Sequence, residues 1–229
     1  MPRTARSGAA RLAGPLAAAA LTATAATGCG SGSAPVSSGA EPAPSTQAGG
    51  GQASQHAPLN TAELEAALPN QLSVPADLNE PRTRKAWDTL DATICQSERW
   101  PDPWCAKAVA VGLAGFTNLE DQELTIRLIS FPDSNTAAQL FEGEGTPDEV
   151  GENPPGDEID GFEIEASEQA PTWSGKGINV REGSVTAKIE YTWAEGTNIP
   201  AERMQKLANM VVQRIQQAQN GEPPTASAR

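Results

Sequence analysis

The sequence predicts an α+β domain: an antiparallel β-sheet with helices packed on it, one disulfide, and a long amphipathic helix at its C-terminal end. Three observations carry that expectation. Residues 123–131 and 185–193 alternate apolar and polar side chains with the period of two that half-buried strands require. Met204, Leu207, Ala208, Val211 and Ile215 recur at helical spacing. Short helical stretches separate the strand pairs, as in sheets with helices segregated onto them.

The elements follow in order. Asn60-Thr-Ala-Glu63 is a capping-box signal, and Leu64, Ala67 and Leu68 then share one helical face until Pro69 ends the helix. Trp87, Leu90 and Ile94 suggest a second short helix. Val109, Val111 and Leu113 alternate with small residues and predict a strand. A second strand over 123–131 puts Leu124, Ile126 and Leu128 on one face, and Ile129 and Phe131 on the other, making a hairpin with the first. Pro132-Asp133-Ser134 opens a short helix through Ala137, Ala138, Leu140 and Phe141. Phe162, Ile164 and Ala166 suggest a strand. Ile178 and Val180 lead to a turn at Glu182-Gly183, and Val185, Ala187, Ile189, Tyr191 and Trp193 return from it. Pro200 suits the first position of the last helix, and Gly221 follows its end.

The ends of the chain read differently. Residues 1–28 hold Arg3, Arg6 and Arg11, then a short apolar run from Leu12 to Leu21, then small residues, which is the layout of a secretory signal peptide. Ala26-Thr27-Gly28-Cys29, followed by Gly30-Ser31-Gly32, resembles the lipobox of bacterial lipoproteins. The resemblance implies diacylglyceryl transfer to the Cys29 thiol and cleavage before it, with the protein anchored at the outer face of the cytoplasmic membrane. Ala26 stands where such motifs usually carry Leu, and Ala23-Thr24-Ala25 offers an ordinary cleavage site that would release a soluble protein instead. Residues 29–58 are mostly Gly, Ser, Ala, Pro and Gln with a single acid, Glu41, and read as a disordered stalk. Thirty such residues span about 30 Å on average and about 100 Å when taut. The globular domain is expected over 59–220, and 221–229 reads as a second disordered tail.

The formal net charge is -13, and cleavage of the leader would remove three more positive charges and no acid. A field of that sign repels phosphate backbones and anionic head groups, so nucleic acid is not an expected partner. Cationic ligands and basic proteins are electrostatically allowed, as is simple solubility.

If Cys29 carries lipid, Cys95 and Cys105 remain to pair with each other outside the membrane. Closing a loop of about ten residues stabilises a fold by roughly 2–3 kcal/mol. The only histidine is His56, in the stalk, so the domain has no Ser-His-Asp, Cys-His or zinc set. No phosphate-binding glycine loop is present, and no cofactor is expected. Carboxylate chemistry stays open as a third class, a hydrolase.

Glu142 to Glu168 is dense in carboxylates and lacks Lys and Arg. Glu158, Asp160 and Gly161 copy part of a calcium-binding EF-hand loop, but Gly156 and Ser167 fall where its first and last ligands belong. A solvated acidic loop is the simpler reading, beside a non-EF calcium site or a docking surface. Trp100-Pro-Asp-Pro-Trp104 lies inside the expected disulfide loop. Two prolines and a cross-link would pre-organise both rings for partner binding, or the rings would lid the core.

Leu128-Ile-Ser-Phe-Pro-Asp-Ser134 leading into Ala137-Ala138, and Val180-Arg-Glu-Gly183 with its following strand and final helix, are similar in layout to the extracellular sensor domain of PknH-type receptor kinases. That resemblance spans about the last hundred residues. It implies a domain that senses an extracytoplasmic ligand; members carry two disulfides, where this chain has cysteines for one. The expectation is therefore a tethered, non-catalytic domain binding a small-molecule ligand or partner protein, with an accessory subunit of an envelope complex as the alternative.

Overall fold

Six antiparallel strands form one sheet in the order β1-β2-β3-β6-β5-β4. The structure, a computed structural model, describes residues 57–90, 94, 104–118, 122–141, 154–165, 173–194 and 201–229. The strands are β1 (Glu80–Asp88), β2 (Ala110–Thr117), β3 (Gln122–Ser130), β4 (Glu158–Ile164), β5 (Trp173–Glu182) and β6 (Val185–Ala194). The helices are α1 (Thr61–Ala67), α2 (Trp104–Lys107), α3 (Ser134–Leu140) and α4 (Ala201–Gln219). Two runs of three consecutive antiparallel strands thus meet along the β3–β6 pair, with α3 on the crossover between them.

Both expected hairpins form. Val111 lies opposite Ile129 across β2–β3, and Ile178 opposite Ile189 across β5–β6. The second turn sits one residue later than the sequence suggests: Glu182 and Val185 close it, and Gly183 and Ser184 are its loop. β6 alternates buried and half-buried positions without a break.

One face of the sheet carries the main core. Leu124, Ile126, Leu128, Ile189 and Tyr191 are fully buried there beneath α1 and α4, which contribute Leu64, Leu68, Leu207, Val211 and Ile215. Asn60 caps α1 as expected. Its side chain accepts from Ala62 N and Glu63 N, and Glu63 returns a carboxylate to the Asn60 amide. On the opposite face, at the β1–β3 end, a smaller cluster joins Val111, Leu113, Ile129 and Phe131 to Cys105 and Ala137. Leu124 and Ile129 therefore do point to opposite faces, each into its own cluster.

Three expectations are corrected. The segment around Trp87 is the edge strand β1, not a helix; only Ala86 is buried on it, so its charged sequence carries no alternation. The strand expected through Phe162, Ile164 and Ala166 forms as the opposite edge strand but runs earlier, over Glu158–Ile164, so it takes in part of the stretch read as a solvated acidic loop, and Asp160 is buried within it. Residues 221–229 are not a loose tail but pack back onto the domain. Ala228 joins the core, and its amide donates to Ser73 O at 2.8 Å.

The return begins at the end of α4. Gly221 takes φ +72°, and Gly221 N and Glu222 N donate to Ala218 O and Gln217 O, a Schellman close that reverses the chain. Gln217 then holds Thr225 through both its amide atoms. Among the described residues, no helix is long and apolar enough to cross a membrane.

Candidate functional site

Of the residues singled out by sequence, Cys29, Cys95 and Trp100 lie outside the described residues. Cys105 is buried on α2. Trp104, the first residue of α2, is half-buried and packs against the Val111–Leu113–Ile129 cluster, as does Trp87. The Trp104 ring thus packs on the satellite core with part of its surface exposed. Trp193 lies in the main core, as its register predicts, and Trp173 opens β5 half-buried.

A cleft of about 350 Å³ opens where the loop after α1, the first turns of α4 and the returning C-terminal segment meet. Pro75, Ala76 and Ala228 line it with apolar groups, and Glu202, Arg203, Lys206 and Arg229 line it with charged ones. Leu78 N donates to Pro75 O and tightens the first loop. Arg203 and Lys206 are three residues apart on α4 and so share a face. Arg229 is brought in by the tail, whose Ala228 is anchored on Ser73, and its Nη2 donates to Gln71 O at 3.1 Å.

Arg203 is the best-fixed of the three. Its Nη1 donates to Asp77 Oδ2 at 2.7 Å and to the Tyr191 hydroxyl at 2.9 Å. Tyr191, wholly buried, donates in turn to Gln122 Oε1 at 2.6 Å. Burial works against the guanidinium charge, but the hydrogen bonds to Asp77 and Tyr191 outweigh it and hold the pKa above its ordinary value. This chain ties the cleft to the middle of the sheet, through β6 and β3.

A second group of charges lies on the sheet face opposite α4. Arg127 Nη1 meets Glu190 Oε2 at 3.0 Å, and Lys188 Nζ meets Glu190 Oε1 at 3.2 Å while lying 4.8 Å from the Phe162 ring centre. At one end, Arg181 binds Asp157 and Glu158 at 2.8 and 3.1 Å, tying the start of β4 to the β5–β6 turn. Arg127–Glu190 and Arg181–Glu158 cross between strands, the sheet counterpart of helix-surface ion pairs, while Lys188 and Glu190 pair along β6. Together they balance three positive charges against three negative ones.

Sequence reasoning missed the cleft. Pro75, Arg203 and Arg229 belong to segments far apart in the chain, and no local pattern marks any of them. The one signal was the basic pair Arg203 and Lys206 on the predicted final helix, off its apolar stripe.

No protein-family model matches the chain, and no curated protein matches it. Among solved structures it is similar to the extracellular domain of PknH from Mycobacterium tuberculosis, with 14% sequence identity and a TM-score of 0.41, covering 73% of this chain and 100% of that domain. The likeness is one of layout, and no residue role is carried across.

Proposed function

We propose that this protein is a non-catalytic extracytoplasmic domain that binds a small ligand. On this reading it is held at the outer face of the cytoplasmic membrane by a lipid on Cys29 and raised from it by the stalk 29–58. One observation carries the ligand-binding part: the cleft sets the apolar groups of Pro75, Ala76 and Ala228 beside four charged side chains, and its volume falls at the lower end of the range of small-molecule sites. The signal peptide and the lipobox-like Ala26-Thr27-Gly28-Cys29 support the anchor. A bridge between Cys95 and Cys105 belongs to the same reading, supported by the burial of Cys105.

Ala76 is exposed on the cleft wall, so Ala76→Trp fills the space without disturbing the core. A small-molecule screen on the full mature protein, read by thermal shift, should yield ligands whose effect disappears in A76W. Ligands that stabilise both proteins equally would remove the cleft from the function. Mass spectrometry of the mature N-terminal peptide tests the anchor: diacylglycerol on Cys29 supports it, and an unmodified N-terminus at Ala26 rejects it.

A further inference from the structure

Resting on that ligand-binding reading, we infer that the cleft selects a small oxyanion, a carboxylate or phosphate group attached to a short apolar body. The chain has 16 basic residues against 29 acidic ones, yet three basic side chains and one carboxylate line this cleft. With Asp77 paired to Arg203 beside Glu202, the cleft still keeps one positive charge in excess, against the sign of the whole chain.

The three cations also have capacity to spare. Both hydrogen bonds of Arg203 leave from Nη1, so the Nε–Nη2 edge of the guanidinium has no partner among the described residues. That edge is the planar fork that matches two oxygens of a carboxylate or phosphate. Asp77 and Tyr191 hold the fork in place, so little ordering entropy is lost when an anion arrives. Lys206 forms no ion pair among the described residues, and Arg229 spends its one described guanidinium hydrogen bond on the neutral carbonyl of Gln71. Arg203 and Lys206 stand in the first turns of α4, whose nineteen-residue dipole places its positive end there. Pro75, Ala76 and Ala228 offer the anion's apolar part an apolar contact. The protein's overall negative field opposes the approach of any anion, so selection rests on this local geometry and not on long-range steering.

The test is a titration of the full mature protein in detergent with four probes, followed by ¹⁵N-resolved NMR: inorganic phosphate, benzoate, benzamide and benzylamine. The last three share a ring and differ in charge. Benzoate or phosphate should give saturable shifts centred on residues 203–206 and 226–229. Lys206→Glu, at an exposed position, should weaken that binding about tenfold or more, the effect of losing one charge-assisted contact and adding a repulsion. Binding of benzamide or benzylamine at the cleft as tightly as benzoate would overturn the oxyanion class and leave the ligand-binding reading standing. No cleft-centred shift from any of the four would remove both.

Discussion

Arg214 and Leu68 are 146 residues apart and are joined by a hydrogen bond of 3.0 Å from the guanidinium Nη2 to the main-chain carbonyl. The same side chain donates to Ala66 O, Ala67 O, Ser73 Oγ and Ala226 O at 2.9–3.3 Å. An α-helix leaves its last carbonyls without intrahelical partners. Here a buried guanidinium from another helix supplies them, and its positive charge faces the negative end of the α1 dipole. None of its described partners is a carboxylate. Burial, and then the nearby charge of Arg84, push the Arg214 pKa down to about 10, which still leaves it protonated at neutral pH.

Replacing Arg214 by Met should therefore destabilise the domain by about 3 kcal/mol, because the buried Ala67 carbonyl and Ser73 hydroxyl lose their donor, while Leu68 O keeps Arg84. Arg214→Lys keeps the charge but not the planar fork, and should fall between the two. Urea unfolding at pH 7 measures both. An Arg214→Met midpoint equal to wild type would show that water replaces the guanidinium at no cost.

Removing residues 223–229 should lower the melting temperature by about 4–8 °C, corresponding to roughly 2 kcal/mol for a domain of this size. The loss comes from uncovering the site of Ala228 and cutting the Gln217–Thr225 and Arg214–Ala226 contacts. An unchanged melting temperature would mean that the segment rests on the domain without stabilising it.

The Phe162 ring lies directly over Gly177 across the β4–β5 pair. A Cβ at 177 would stand 2.0–2.5 Å from three ring atoms, so the ring would have to leave. Gly177→Ala should cost about 1–3 kcal/mol, as overpacking does, and should also separate Phe162 from Lys188. Phe162→Ala in the same chain should restore most of the loss. A double variant no more stable than Gly177→Ala would refute the contact as the cause.

Asp133 caps α3, accepting from Thr136 N at 2.7 Å and from its hydroxyl at 3.0 Å. The Thr136 backbone bond, then the hydroxyl bond, hold its pKa below the ordinary carboxylate value. A depressed folded-state pKa means the cap's contribution is whole above the unfolded value and is lost as pH falls through the folded one. Asp133→Asn should flatten the acid side of the stability profile at this site while leaving pH 7 stability little changed, since Asn also caps well. Melting curves between pH 6 and 3 decide it: parallel profiles would clear Asp133 of any share in acid denaturation.

What could be read from the sequence divides along physical lines. The α1 cap, the β2–β3 and β5–β6 hairpins and the α4 stripe were legible because each is fixed by neighbours in the chain: Asn60 with Glu63, or Val185 through Trp193 in strict alternation. β1 was not, because an edge strand buries little. With Ala86 alone inside, Arg82, Arg84 and Lys85 conceal the strand and also discourage pairing along its free edge. β4 was blurred for a related reason, since its carboxylates are matched by Arg181 and Lys176 from the next strand.

By itself, then, the sequence determined the local periodicities, and with them the fold class. Only the tertiary structure decided where Arg214 would find acceptors, that 221–229 would return to Ser73, and that Arg203, Lys206 and Arg229 would face one cleft. The reason is range. A helix cap or a strand alternation is an interaction over a few residues and leaves its period in the chain. A buried cation or a convergent cleft is made by residues more than a hundred positions apart, whose only common property is the place to which the fold carries them.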